Sequence, residues 1–185
     1  MDLKNAWELV FDQLEQASKK PDHAFRYLTM ATLSKEKAPA QRMVVLREFS
    51  KDDVLITVFT DARSKKVEEI KNNDSVSLLF YDPEEKLQVS IKGKASLLTE
   101  NHKKMKYWNE SGSHGAYSYT AHRSPGEVIQ DPAEAYDWDL ESAENFCVIT
   151  IKAKSMKFLQ LNGHRHLRAF QRFSDGSRKR NWIAP

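Results

Sequence analysis

The sequence has little cysteine, glycine or proline and no long apolar run, and these absences exclude several classes of protein. Its 185 residues include one cysteine, six glycines and six prolines. A lone cysteine excludes an internal disulfide, and the apolar run FCVITI around Cys147 predicts an inert thiol on a buried strand. With neither a signal peptide nor a membrane-spanning run in the sequence, we expect a cytoplasmic protein.

Common catalytic and ligand-binding motifs are also missing. Neither G-x-x-x-x-G-K-[ST] nor G-x-G-x-x-G occurs, so the glycine-rich loops that cradle nucleotide phosphates are excluded. There is no G-x-S-x-G nucleophile elbow. His164 and His166 have spacing that could suit a metal, but no cysteine and no H-x-x-x-H supports them. We therefore predict no metal site.

The charge of the chain is unevenly distributed, although the net charge is only +3. Charged residues between Gly126 and Asn145 are all acidic, whereas those after Ile151 are basic apart from Asp175. A solvated acidic loop and a solvated basic hairpin explain this pattern. The sharper interpretations are a basic site for an anionic ligand or, because aromatic residues alternate with the basic ones, a nucleic-acid-binding surface.

Hydrophobic periodicity predicts a mainly β protein with inserted helices (α+β), arranged as an antiparallel barrel in one domain spanning residues 1–185. Apolar residues at helical spacing predict an amphipathic helix within residues 1–20. Short β-branched and aromatic runs then predict strands, with separate strands for NFCVITIKA and SMKFLQL. Thr99 is a candidate cap for a later helix. Residues 110–145 have little periodicity and form a long, partly helical excursion.

Three groups of polar residues lie on the predicted strands or directly after them. RMVVLR places Arg42 and Arg47 at the two ends of an apolar strand core, where a five-residue separation turns them to opposite faces. Ser64, Lys65 and Lys66 lie at a helix start, where free N–H groups and cations together suit a phosphate. Gln88 alternates with apolar neighbours in KLQVSI, which places its amide on the face away from the core.

The order of these motifs resembles the pyridoxamine 5′-phosphate oxidase-like flavoproteins. RMVVLR, FT, SKK, NDSVSLLF and QVSIKG occur in register over about residues 24–98, and the later MKYW and RNWIAP are also similar. The resemblance implies a split β-barrel and a homodimer with FMN at the interface. It also implies the FMN-binding residues, which are Arg42, Met43, Val44, Val45, Leu46, Arg47, Phe59, Thr60, Ser64, Lys65, Lys66 and Gln88.

The chain departs from this family where substrate is bound. The family signature R-L-H-x-R is matched at Arg165, but Leu167 and Ala169 replace its histidine and its final arginine. Tyr107 matches a substrate-phosphate tyrosine, whereas the arginine expected shortly after it is replaced around Ser111. The resemblance thus implies bound FMN and disfavours pyridoxamine phosphate as the substrate.

The expected function is an FMN-dependent oxidoreductase acting on an unidentified small molecule. Tyr107, Arg165 and His166 are its candidate substrate-binding residues, and no catalytic residue is assigned. Two alternatives belong to other classes. One is a module that binds FMN or another anionic ligand without turnover, and the other is a basic protein that binds nucleic acid or a protein partner.

Overall fold

Six antiparallel strands close a barrel, and two further strands extend it. The computed structural model describes residues 2–111, 117–139, 142–174 and 177–185. Neighbouring strands follow the order β3-β2-β1-β4-β5-β6-β7-β8, and an additional β3–β6 pairing closes the barrel. The structure thus confirms the predicted antiparallel split-barrel class. The strands are β1 (Tyr27–Leu33), β2 (Pro39–Ser50), β3 (Leu55–Asp61), β4 (Ser75–Asp82), β5 (Leu87–Leu97), β6 (Phe146–Gln160), β7 (Leu167–Ser174) and β8 (Ser177–Trp182).

Strand β6 is a single strand of 15 residues, so the prediction of two strands here was wrong. Phe146–Lys152 pairs with β3, and Ser155–Gln160 pairs with β7. Ala153 and Lys154, between these segments, mark the change of neighbour and belong to the continuous strand. Gly93 on β5 faces this point, where an added Cβ would lie 2.6 Å from the carbonyl oxygen of Lys152. A glycine therefore allows β5 to approach β6 closely.

Three α-helices accompany the barrel in the described part of the chain: α1 (Leu3–Lys19), α2 (Lys65–Asn72) and α3 (Asn101–Glu110). Helix α1 is the predicted amphipathic helix, and its Trp7, Phe11 and Leu14 belong to the main core. Helix α3 begins one residue later than predicted, with Glu100 and not Thr99 at its N-cap. None of the described helices is long and apolar enough to cross a bilayer.

The predicted excursion at residues 110–145 consists of short helical turns and loops, of which residues 112–116 and 140–141 lie outside the described residues. Two 3₁₀ turns, Tyr117–Tyr119 and Pro132–Tyr136, lie in it, and Ala121 pairs with Trp138 in an isolated bridge. Capping by Asp131 explains the start of the second turn, because its side chain accepts a hydrogen bond from the N–H of Ala133.

A second apolar cluster covers the outside of β3 and β6. Phe59 packs edge-on against Phe146 with ring centroids 5.0 Å apart, and Trp108 of α3 lies 5.3 Å from the same ring. Tyr119 contacts Phe146 from the excursion. Phe146 is buried but lies outside the main core cluster. This outer cluster therefore attaches α3 and the excursion to the barrel beside Phe59.

Candidate functional site

Strand β2 carries Arg42 and Arg47 to different surroundings, as expected from their spacing. Val44 and Leu46 point into the core, so these two predicted cofactor residues could contact a ligand only through their backbone. The pairing with β3 shifts register between Leu46 and Glu48, which makes Arg47 the extra residue of a β-bulge. Arg42 contacts Glu69 of α2, whereas Arg47 lies over the ring of Phe59.

The first candidate site, which we call the α2 cluster, comprises Arg42, Thr60, Ser64, Lys66 and Glu69. Lys66 Nζ donates to Thr60 Oγ1 at 2.9 Å, and Thr60 Oγ1 lies 3.1 Å from Ser64 Oγ. Ser64 Oγ in turn donates to the carbonyl oxygen of Asp61 at 2.7 Å. The hydroxyl of Ser64 therefore serves this chain of hydrogen bonds and does not cap α2, although Ser64 occupies the N-cap position as predicted.

Lys66 is the most informative member of the α2 cluster because it is a largely desolvated cation. Burial lowers the pKa of Lys66, and the nearby positive charge of Arg42 lowers it further. Among the described residues no carboxylate forms an ion pair with Lys66, whereas Arg42 pairs with Glu69 at 2.8 Å. The backbone N–H groups of Lys65 and Lys66 likewise have no partner in the described part of the chain. These free donors and the desolvated cation fit the phosphate of a cofactor.

The other cations at the start of α2 have different environments. Arg63 donates to both carboxylate oxygens of Asp61, at 3.1 and 2.7 Å, and to the carbonyl oxygens of Ala121 and His122, at 2.7 and 2.9 Å. It therefore anchors the excursion to the barrel. Lys65 is exposed and forms no ion pair among the described residues. Of the three cations, only Lys66 combines a position in the α2 cluster with desolvation.

A second candidate site, the Tyr107 cavity, lies on the outer side of β2 and β3. Its volume is about 370 Å³, and Arg26, Arg47, Glu48, Phe59, Lys106, Tyr107, Glu110 and Ser111 line it. The Arg47 guanidinium lies 5.3 Å from the centroid of the Phe59 ring, and the Tyr107 ring contacts the same phenylalanine edge-on at 5.5 Å. Arg47 Nε is buried without a hydrogen-bond partner among the described residues. The cavity thus presents an unsatisfied donor beside aromatic walls.

Acidic groups also line the Tyr107 cavity, and the sequence patterns did not reveal them. The hydroxyl of Tyr107 donates to Glu48 Oε2 at 2.6 Å, and burial together with Glu48 raises the pKa of Tyr107 to about 12. Burial lowers the pKa of Arg26, as does the neighbouring charge of Arg47. Glu48 follows RMVVLR directly, but only the bulge at Arg47 brings it toward Tyr107. No sequence signal indicates such a bulge.

The remaining predicted site residues lie elsewhere on the chain. Gln88 is exposed on β5, where it pairs with Tyr81 on one side and Leu159 on the other. Arg165 and His166 are exposed in the turn before β7, so His166 does not occupy a strand as its spacing suggested. Neither residue lines the Tyr107 cavity of the same chain. One chain therefore does not bring together all the predicted contacts.

An apolar surface on β1, β2 and β4 separates the Tyr107 cavity from Gln88. Tyr27 and Met43 are each 60% exposed, Tyr81 is 50% exposed and Leu79 is 40% exposed. Strand pairing joins them, because Thr29 pairs with both Met43 and Leu79 while Tyr81 pairs with Gln88. Exposed apolar side chains grouped in this way are typical of surfaces that contact another molecule.

Comparison with known proteins places this geometry in a family. The family model described as the FMN-binding domain of pyridoxamine 5′-phosphate oxidase matches residues 4–99. A pyridoxine/pyridoxamine 5′-phosphate oxidase from Wolbachia pipientis wMel is 38% identical over 73 residues, which cover 40% of this chain and 33% of that relative. The chain thus spans about a third of that curated relative's length.

Two solved structures have similar folds. A pyridoxamine 5′-phosphate oxidase-related, FMN-binding protein from Nostoc punctiforme PCC 73102 has 22% identity and a TM-score of 0.77, with 97% of each chain covered. PhzG from Burkholderia lata 383, in complex with tetrahydrophenazine-1-carboxylic acid, has 21% identity and a TM-score of 0.79 over 97% of this chain and 92% of its own. These likenesses support the fold, and the family model supports the cofactor. The chain belongs to the pyridoxamine 5′-phosphate oxidase-like family of FMN-binding domains, and its cofactor is FMN.

Proposed function

We propose that this protein is an FMN-dependent oxidoreductase that acts on a small molecule bound in the Tyr107 cavity. The observation that carries the proposal is the juxtaposition of two sites along β3. Thr60 belongs to the α2 cluster, while the adjacent Phe59 forms a wall of the cavity. A phosphate held at the first site would thus place the rest of the cofactor beside a cavity that can receive a reactant.

Each site has a separate role in this proposal. Lys66, Thr60, Ser64 and the free N–H groups at the start of α2 would hold the phosphate of FMN, with Arg42 contributing a second positive charge. Bound FMN supplies the redox chemistry by accepting a hydride or electrons from the substrate. Arg47 would bind and orient the substrate, and Glu48 would accept a proton through the hydroxyl of Tyr107.

We also propose a homodimer, because the exposed apolar surface and the position of Gln88 both suggest a second copy. Four strand spacings, about 19 Å along the barrel surface, separate Gln88 from Phe59. The Gln88 of one chain is thus poorly placed for a ring beside its own Phe59. A second copy packed over Tyr27 and Tyr81 would cover the apolar surface and could supply Gln88, Arg165 and His166 to the first.

Flavin titration and anaerobic reduction test the proposed function. We expect one FMN per chain to bind with quenched fluorescence, and the visible spectrum to bleach when a substrate from a panel of amines, alcohols and reduced ring compounds is added without oxygen. Nicotinamide cofactors belong in the same panel as candidate reductants. Binding without reduction by any compound would favour the FMN-binding module, and failure to bind FMN would contradict both.

Sedimentation velocity tests the homodimer independently of turnover. The wild type is expected to sediment as a dimer, and Tyr81→Lys should shift it toward the monomer, since a charge would enter an apolar interface. Lys154→Glu, at an exposed position outside the apolar surface, serves as the control. A wild type that stays monomeric at all protein concentrations would exclude the dimer.

A further inference from the structure

We infer that the Tyr107 cavity binds the carboxylate of a small aromatic acid and discriminates against phosphate esters. This inference rests on the proposed function in one respect only, which is that the bound acid is taken to be the substrate. Binding of the acid itself follows from the cavity and can be measured with or without turnover.

Arg47 supplies the reason to expect an acid. Its guanidinium makes no hydrogen bond or ion pair with any described residue, and its Nε is buried. The neighbouring Arg26 does have partners, because its Nη1 donates to the carbonyl oxygens of Ala17 and Ser18 at 3.3 and 2.8 Å. A desolvated, unpaired guanidinium beside a second cation is unfavourable until an anion binds, and a carboxylate matches its planar fork of donors.

The net charge of the cavity lining favours an anion with a single negative charge. Arg26, Arg47 and Lys106 contribute three cations, whereas Glu48 and Glu110 contribute two carboxylates. One negative charge therefore balances the lining, whereas a phosphate monoester carries between about −1.5 and −2 near neutral pH. Tyr107 also directs its hydroxyl proton toward Glu48, so this donor is already engaged when a phosphate would need it. Like-charge repulsion from Glu48 would further weaken phosphate binding.

The walls of the cavity favour an aromatic ring that carries a hydrogen-bond donor. Phe59 and Tyr107 meet edge-on, and the volume of about 370 Å³ is at the small end of ligand pockets. Glu48 lies beside the hydroxyl of Tyr107, where it can accept a hydrogen bond from an amine or hydroxyl on the ring. An amino-substituted aromatic acid would therefore satisfy Arg47 and Glu48 together.

Calorimetric titration with benzoate, 3-aminobenzoate and phenyl phosphate tests this inference. On FMN-loaded protein we expect 3-aminobenzoate to bind more tightly than benzoate, and phenyl phosphate to bind at least tenfold more weakly than benzoate. Arg47→Met should weaken benzoate at least tenfold, because the carboxylate loses its charged partner. Arg172→Met should leave benzoate affinity unchanged, since Arg172 stacks on Phe170 outside the cavity.

A second variant keeps the test decisive if Arg47→Met folds poorly. Glu48→Ala should remove the advantage of 3-aminobenzoate over benzoate, because no side-chain acceptor remains for the amine, while benzoate binds at least as tightly as it does to the wild type. Phenyl phosphate binding as tightly as benzoate, or an unchanged aminobenzoate preference in Glu48→Ala, would overturn the inference. Competition between benzoate and FMN would also overturn it, because the cavity would then belong to the flavin. If the chain fails to bind FMN, the same titrations on the FMN-free protein still decide the aromatic-acid site.

Discussion

The α2 cluster and the Tyr107 cavity both expose cations, but they differ in what surrounds those cations. In the α2 cluster, Lys66 contacts a neutral hydroxyl, and the one bound carboxylate, Glu69, belongs to Arg42. In the cavity, Arg47 shares the lining with two carboxylates, Glu48 and Glu110, and forms an ion pair with neither. Cations of the same charge can therefore favour different anions when their surroundings differ. Neutral donors around Lys66 suit a dianionic phosphate, whereas the mixed lining around Arg47 suits a single charge.

The largest expected effect concerns Arg63, which belongs to neither site. Arg63→Met should lower the free energy of unfolding by about 3 kcal/mol, because it would leave the buried carboxylate of Asp61 without its cation. It should also loosen the excursion, which loses the contacts to the carbonyls of Ala121 and His122. Urea denaturation and limited proteolysis measure the two effects. An FMN affinity within threefold of the wild type would show that Arg63 has a structural role only.

The next effect distinguishes adjacent lysines at the start of α2. Lys66→Met should weaken FMN binding about 100-fold, or about 2.7 kcal/mol, because a desolvated phosphate would lose its charged partner. Lys65→Met should change the affinity less than threefold, since Lys65 is exposed. Flavin fluorescence titration measures both constants. An affinity that stays within threefold of the wild type in both variants would place the phosphate outside the α2 cluster.

The pH dependence of FMN binding follows from the same lysine. The pKa of Lys66 is lowered from the ordinary 10.5 by burial, so its positive charge is lost at a lower pH than that of an exposed lysine. As the pH is raised, the FMN affinity of the wild type should therefore begin to fall before pH 10.5 is reached. Lys66→Met should remove most of this decline, and titrations across the alkaline range would measure it.

Tyr107→Phe should alter the cavity without altering the α2 cluster. Loss of its hydrogen bond to Glu48 should cost about 1 kcal/mol of unfolding free energy, while FMN affinity stays within twofold. Because the folded-state pKa of about 12 lies above the ordinary 10.0, this stabilisation is present below pH 10 and is lost between pH 10 and 12. Urea denaturation at several alkaline pH values should therefore show a smaller decline in Tyr107→Phe than in the wild type.

The smallest expected effect is an increase in FMN affinity. Glu69→Gln removes the carboxylate that pairs with Arg42, so more of the positive charge of Arg42 would be available to a phosphate. FMN affinity should rise about threefold, equivalent to about 0.7 kcal/mol, while the protein loses a little stability. Fluorescence titration beside Glu68→Gln, an exposed acid of the same helix, provides the control. A weaker FMN affinity in Glu69→Gln would show that this carboxylate positions Arg42.

Local sequence patterns predicted most elements of the fold. The predicted helix within residues 1–20 is α1, and the β-branched and aromatic runs coincide with strands such as β4. Their success has a physical basis, because alternation and helical spacing depend only on which face of an element is buried. The pattern failed within residues 146–160, where the change of neighbour along β6 depends on strands distant in the chain.

The sequence motifs predicted which residues lie near the start of α2, but they did not predict the contacts that these residues form. The motif around Ser64 indicated a phosphate-binding helix start, but only the structure separates the roles of Arg63, Lys65 and Lys66. Glu48 was missed because its proximity to Tyr107 depends on a bulge and on packing of α3 across the barrel. Gln88 was correctly assigned to an exposed strand face, yet nothing in its local sequence tells how far it lies from Phe59.

The sequence by itself determined the types and order of the elements, the inert setting of Cys147 and the concentration of cations at the start of α2, since each depends on neighbouring residues. The tertiary structure decided which cations are free to bind an anion. Packing of α2 against the barrel partly buries Lys66, and no carboxylate in the described part of the chain forms an ion pair with it. The excursion engages Arg63, and the bulge places Arg47 beside Glu48 without a hydrogen-bond or ion-pair partner for its guanidinium among the described residues. A charge becomes a binding site through its desolvation and its partners, and both arise from contacts between residues far apart in the chain.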